Sequence, residues 1–342
     1  MLVLARSFLV VAAALFALPG VALADDGDIS LARLRVSSAP PGSNCMDPDP
    51  NDGTEVFCPD EDSWARLMSE LGGSMIPNSL APARTLGYGG FYMGIDTWIT
   101  GVDGNSRHWS LGTEGDDGAG TETCADFDTG LGCNRFAPSA LFWTRAQLRK
   151  GFPFGFELGT SFSYLWNSQL FAWGLEIRWA IIEGWDFPVP DVAVRGQVNT
   201  LVGDAEFNMT VPSIDVVVSE RIAISRSAVL TPFVAGQVAF IFADSELIDF
   251  TPGTDAYAEC RSVADADMAS CSVGGADFAN NSTFDEIRAA RWRLTLGAQG
   301  QYEWITVSAA FAFDLVKPGA DDDIPDDVNR QWTVNFGAGA TF

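Results

Sequence analysis

From about residue 88 onward, apolar and polar positions alternate with period two, the mark of a strand whose two faces meet different surroundings. The last segment shows it plainly. Arg330, Trp332, Val334, Phe336, Ala338, Ala340 and Phe342 share one face, and Gln331, Thr333, Asn335, Gly337, Gly339 and Thr341 the other. Phe154 to Trp166, Phe171 to Ile181, Ala290 to Ala298 and Ile305 to Leu315 repeat the pattern, each with small or polar residues between the bulky ones. Ten strands are predicted, at 88–102, 138–149, 154–167, 169–183, 190–203, 207–220, 229–244, 284–302, 304–316 and 329–342. Pro212 makes 207–220 the least regular of them. The connections alternate in kind. Those at 150–153, 184–189, 221–228 and near Glu303 join at one end, whereas 103–137, 245–283 and 317–328 are long and acidic.

A soluble sandwich would also alternate, with an outer face rich in Lys, Glu and Thr. Here the polar face is small and sparse, and the only lysines, Lys150 and Lys317, fall at turns or loops. The bulky face carries Trp and Tyr near strand ends. Those features predict an all-β fold: a closed antiparallel transmembrane barrel, apolar outside and polar within. Closure follows because unpaired strand edges in lipid would strand backbone amides without partners.

The N-terminal part reads differently. Arg6, the apolar stretch Phe8 to Leu18 and Ala22-Leu23-Ala24 predict a signal peptide over 1–24. The barrel is expected over 87–342, which leaves 25–86 as an N-terminal segment: plug, periplasmic or surface. Within it, Trp64–Leu71 predicts a short helix, capped by Asp60, Asp62 or Ser63 and stopped by Gly72-Gly73, and Ile29–Val36 a strand. Lys+Arg 20 against Asp+Glu 45 gives −25, which argues against nucleic acid as a partner. Six cysteines fall into local pairs, Cys45/Cys58, Cys124/Cys133 and Cys260/Cys271. In an exported chain such spacing predicts disulfides within loops; the spacings do not suit zinc.

The signal sequence, the alternating strands and the terminal QWTVNFGAGATF resemble a Gram-negative outer-membrane β-barrel protein over roughly residues 87–342. The resemblance implies an outer-membrane location, contact with outer-membrane lipid and lipopolysaccharide, and a role for Phe342 in the signal read by the barrel-assembly machinery. Ala83-Arg84-Thr85-Leu86-Gly87-Tyr88-Gly89-Gly90 resembles the lead-in to the first strand of FadL-like barrels and fixes no function.

Candidate chemistry concentrates in the lumen, where Asp96, Glu157, Glu176 and Asp215 are expected to face Arg145, Arg178, Arg195, Arg291 and Arg293. Such residues in a narrow barrel form interior ion pairs or line a selective pore. His108, the sole imidazole, follows the first strand; as a loop histidine beside Trp109 it is expected at the surface, with Ser110, Asp103 and Asp116/Asp117 as neighbours for hydrolytic chemistry. Asp47, Asp49 and Asn51 begin like an EF-hand, but Asp52 stands where Gly is needed and Cys58 where Glu is needed. These residues, 115–118 and Asp321-Asp322-Asp323 with Asp326-Asp327 suggest at most weak divalent cation binding. No cofactor, catalytic residue or dedicated metal site is expected. The expected function is a narrow porin-like channel or a structural surface protein; a FadL-like carrier of a small hydrophobic ligand and a rim hydrolase using His108 are the alternatives.

Overall fold

In a computed structural model the described residues are 27–36, 57–77, 80–114, 133–134, 136–185, 189–250, 280–319, 324–326 and 328–342. The signal peptide 1–24 and the acidic stretches 47–51, 115–118 and 321–323 lie outside them. So do four of the six cysteines, Cys45, Cys124, Cys260 and Cys271.

Ten antiparallel strands build the wall: β1 (Phe91–Gly101), β2 (Ala140–Gly151), β3 (Phe156–Leu165), β4 (Phe171–Ile182), β5 (Asp191–Val202), β6 (Phe207–Ser219), β7 (Ala228–Ser245), β8 (Ile287–Tyr302), β9 (Ile305–Asp314) and β10 (Trp332–Thr341). Each pairs with its sequence neighbours, and β10 pairs with β1, from Thr333 opposite Thr100 to Thr341 opposite Tyr92. Phe91 and Phe342 exchange backbone hydrogen bonds at 3.0 and 2.8 Å, sealing the seam at the chain end. The barrel is closed.

All ten expected strands are present, with instructive local departures. β3 starts at Phe156 because Pro153–Gly155 forms a tight turn with Phe154 at φ 65° and Gly155 at φ 72°. Pro212 lies within β6, and the β6–β7 ladder skips from Ser213 opposite Ala239 to Thr210 opposite Phe242. Proline has no N–H to give the ladder, so the pairing is interrupted there. Short turns gather at one end, 303–304 being the shortest, and 102–139, 246–286 and 315–331 gather at the other. That second end also carries two short connections, 166–170 and 203–206.

The bulky rows face outward. Ile95 (59% exposed), Trp292 (55%) and Phe336 (56%) look away from the barrel, and their small or polar neighbours look in. An unbroken apolar belt of this kind has no place in water, where exposed apolar patches are limited. Trp179 stacks on Phe156 and Trp304 on Phe342 near the short-turn end, as aromatic girdles do.

Inside lies a helix, α1 (Glu61–Met75). Asp60 caps it by accepting from the Ser63 N–H at 3.2 Å, satisfying one orphan donor of the first turn. Gly72-Gly73 does not stop the helix, contrary to the expectation from sequence. A Cβ at Gly72 would lie 2.6 Å from Ile241 on β7, and one at Gly73 within 3.0 Å of the Arg291 guanidinium on β8. The glycines let helix and wall approach. Ile29–Val36 is not one strand either: Ile29 makes a single antiparallel bridge to Thr113, Leu31–Arg33 forms a 3-10 turn, and Arg35–Val36 pairs with Cys58–Pro59.

Candidate functional site

The N-terminal segment runs through the barrel. At the long-loop end, Gly27 N–H donates to Asn167 O, Leu31 N–H to Glu206 Oε2 at 2.7 Å and Phe57 N–H to Asn280 Oδ1 at 2.8 Å. α1 then descends the lumen. Residues 80–86 leave past the short turns: Ala83 N–H donates to Ser219 Oγ, Leu86 N–H to Glu157 Oε2, and Thr85 Oγ1 to Glu183. From there the chain enters β1 at Phe91.

Two kinds of contact hold α1. Its N-terminal half is apolar: Trp64 stacks on Phe284 and meets Phe207 edge-on, and Leu67, Met68 and Leu71 are fully buried. Its C-terminal half is gripped through carbonyls, of which those of Gly73, Ser74 and Met75 belong to the last turn and lack intrahelical partners. Arg291 donates to Ser69 O, Arg293 to Gly73 O, Gln331 to Glu70 O, Trp98 Nε1 to Ser74 O at 2.8 Å and Asn199 to Met75 O at 2.8 Å. Trp143 Nε1 donates to Ser74 Oγ, and Gln237 to Pro77 O. Arg293, on Gly73 in the last turn, meets the negative end of the helix dipole, a favourable arrangement.

All nine expected lumen charges lie inward and buried, except that Glu176 is half-buried. Arg145 pairs with Asp96 at 2.7 Å, and Gln147 also donates to that carboxylate. Arg178 reaches Glu176 at 3.0 Å, and Arg195 reaches Asp215 at 2.6 Å. Arg291 pairs with a carboxylate absent from the expected set, Asp314, at 2.6 Å, and Arg293 shares it at 3.2 Å. Arg149, also missed, pairs with Glu157 at 2.9 Å and stands over the Tyr92 ring. Both follow the inward parity of their strands, Arg149 from Arg145 and Asp314 from Ala312, so alternation alone could have found them.

Beside the Arg145–Asp96 pair, two larger charge groups result. Arg149, Glu157, Arg178, Glu176, Arg195 and Asp215 form a continuous chain across β2 to β6 in the short-turn half. Arg291, Asp314 and Arg293 brace α1 near the other end. The gap between Arg145, Gln147, Arg149, Glu176, Gln197 and Asn199 has a free volume of about 10 Å³, the room of roughly one water.

His108 corrects an expectation. It lies in a second helix, α2 (Arg107–Gly112), and is buried rather than at the surface. Its Nε2 is 3.2 Å from Ser106 Oγ and 3.6 Å from Glu70 Oε2. The hydroxyl beside it is therefore Ser106, not Ser110. A nucleophilic triad divides the two ring nitrogens between hydroxyl and acid; here both partners approach one nitrogen, and Ser106 Oγ is spent on Asp103 O at 2.5 Å. Glu70 also accepts from Trp109 Nε1 at 2.6 Å. The cluster ties α2 onto α1.

At the helix mouth, burial pushes the Glu61 carboxyl up to about 7, the nearby Asp285, Asp60 and Asp62 adding to the rise while the Asp285 N–H opposes it. Burial also raises Glu206, against the lowering bond from Leu31 N–H. Among the described residues no His, Cys, Asp and Glu converge as metal ligands. Cys58 and Cys133 carry no free thiol, each being disulfide-bonded. The expected partners within the same loops, Cys45 for Cys58 and Cys124 for Cys133, lie outside the described residues. The expected pair Cys260/Cys271 lies outside them entirely, because neither Cys260 nor Cys271 is described. Phe342 is exposed, its ring stacked on Trp304.

No protein-family profile and no curated protein matches the chain. Among solved structures it is similar to Ail, the attachment invasion locus protein of Yersinia pestis, at 11% identity over 75% of this chain and 99% of that one, with a TM-score of 0.22. It is also similar to the KdgM porin (7%, 73% and 99%, 0.27) and to the outer membrane protein Omp33 of Acinetobacter baumannii (11%, 75% and 99%, 0.25). These structures are outer-membrane β-barrels. The chain has a closed ten-stranded barrel fold. Similarity at this level transfers no functional residue.

Proposed function

We propose that the protein is an outer-membrane surface barrel whose lumen is closed by its own N-terminal segment, without catalysis. The observation that carries this is the set of wall donors, Arg291, Arg293, Gln331, Trp98, Asn199 and Gln237, bonded to six carbonyls of the segment inside the barrel, those of Ser69, Gly73, Glu70, Ser74, Met75 and Pro77. The long-loop end is the cell-surface end, following the loop asymmetry of such barrels. Outer-membrane lipid and lipopolysaccharide then surround the apolar belt, and Phe342 is available to the assembly machinery. Divalent cations remain candidate ligands of the acidic loops.

Planar bilayers test the closure. The intact protein is expected to show no discrete conductance steps, and a chain lacking 61–75 is expected to show them. Stable steps from the intact protein would overturn the closed lumen in favour of a narrow channel, in which Arg178→Ala and Arg291→Ala should alter ion preference. A FadL-like carrier would need an apolar cavity opening through the wall; around α1 that space is filled by Met68, Phe207, Ile241 and Phe284.

A further inference from the structure

We infer that α1 is the template on which the wall closes: β1 and β10, the first and last strands, meet against one face of the helix, and that face brings the seam together. The inference rests on the plugged lumen proposed above and adds an order of assembly to it.

The face consists of Ser69, Glu70, Gly73 and Ser74, at spacings i, i+1, i+4 and i+5 that lie on one side of a helix. Its partners come from both sides of the seam. From the β1 side, Trp98 Nε1 donates to Ser74 O at 2.8 Å and Asp103 N–H to Glu70 Oε2 at 3.3 Å. From the β10 side, Gln331, the residue before Trp332, donates through Nε2 to Glu70 O at 2.9 Å, and the same nitrogen lies 3.5 Å from Gly101 O at the end of β1. One amide thus reaches the helix and the strand across the seam. Behind it, Asp314 on β9 accepts the Gln331 N–H and pairs with Arg291 and Arg293 of β8, which hold Ser69 O and Gly73 O. Leu67, Met68, Leu71 and Met75 occupy the opposite face, so the seam donors have one orientation of the helix to bind.

The seam is the pairing that most needs such help. Every other wall pair joins strands adjacent in sequence, whereas Thr100 and Thr333, whose hydroxyls meet at 2.9 Å across the seam, are 233 residues apart. The chance that two chain ends meet falls as about the 3/2 power of the loop between them. α1 shortens that loop, because only the lead-in 76–90 separates it from β1. Once Arg291 and Arg293 hold the helix against β8, β1 is tethered beside β10, a gain of up to about sixtyfold in the meeting of the two strands. Entry after closure is also sterically poor. Residues 27–36 are bonded at the long-loop end, at Asn167 and Glu206, so a wall shut first would have to pass them and α1 lengthwise through a bore that the helix fills.

The test follows refolding of the full chain from urea into detergent, closure being read as the compact form that resists SDS on unheated gels and unfolding by its loss. Gln331→Met should slow closure about fivefold, the effect of one lost hydrogen bond already made in the transition state, and leave the unfolding rate unchanged. Trp98→Phe should act in the same way. A chain lacking 61–75 should still close, but about tenfold or more slowly. Gln299→Met, which breaks a wall bond to Ser308 Oγ away from α1, should leave the closure rate unchanged. Closure at the wild-type rate with faster unfolding in Gln331→Met and Trp98→Phe would mean that the helix enters a finished wall, and overturns the inference. Wild-type closure by the chain lacking 61–75, or equal slowing in Gln299→Met, overturns it too. Any of these outcomes with a silent bilayer sinks the template alone; conductance steps from the intact protein sink the closed lumen and the template together.

Discussion

Asp314 offers the sharpest test of how the interior is balanced. Its carboxylate is fully buried between Arg291 at 2.6 Å and Arg293 at 3.2 Å, and it also accepts the Gln331 N–H at 3.0 Å. Both arginines are themselves at most 1% exposed. Asp314→Asn keeps shape and one acceptor but removes the charge, leaving two guanidinium groups with only carbonyl and hydroxyl partners from α1. Breaking a buried pair from one side costs about 3–5 kcal/mol. The helix dipole, worth about 0.3–1 kcal/mol at its C-terminal end, offsets part of this. A loss of about 3 kcal/mol is therefore expected in reversible urea unfolding from detergent or bilayer. Adding Arg293→Met should recover much of it, because removing the orphaned charge removes the penalty, and the two changes should be strongly non-additive. A loss below about 1 kcal/mol, or no recovery in the double variant, would refute the reasoning: the arginines would then be solvated without Asp314.

Gly72→Val should loosen α1. The new Cβ meets Ile241 at 2.6 Å, and overpacking of about 1–3 kcal/mol exceeds the helix-propensity gain over Gly of about 0.3 kcal/mol; trypsin cleavage at Arg66 should accelerate while the wall strands stay protected. Glu61 gives a pH dependence. Its carboxyl sits near 7 when folded against about 4.5 when free, so the docked helix binds the extra proton; its stability is fullest below about 4.5 and declines as pH rises through 7. Protection factors along 61–75, taken relative to the intrinsic exchange rate at each pH, should fall from pH 5 to pH 8, and Glu61→Gln should flatten that trend.

Period-two alternation alone determined the ten strands, which residues face lipid and which face the lumen. That is a local property: each side chain's face follows from its parity, and the apolar surroundings demand bulk on one side only. The inward carboxylates and arginines were legible for the same reason. Their partners were not, since Arg195 meets Asp215 and Arg291 meets Asp314 only through strand register. Trp98 and Trp143 face inward against the general rule that bulk lies outside, because their indole N–H groups bond to the carbonyl and the hydroxyl of Ser74 on α1. Nothing in their own sequence neighbourhood announces this. Gly72-Gly73 reads locally as a helix stop, yet the close wall makes it the part of the helix that fits. The course of residues 57–77 and 80–86, from the long-loop mouth through the lumen to β1, was likewise decided only by the closed barrel. A helix that cannot fill its apolar face and satisfy its terminal carbonyls alone finds both inside that wall.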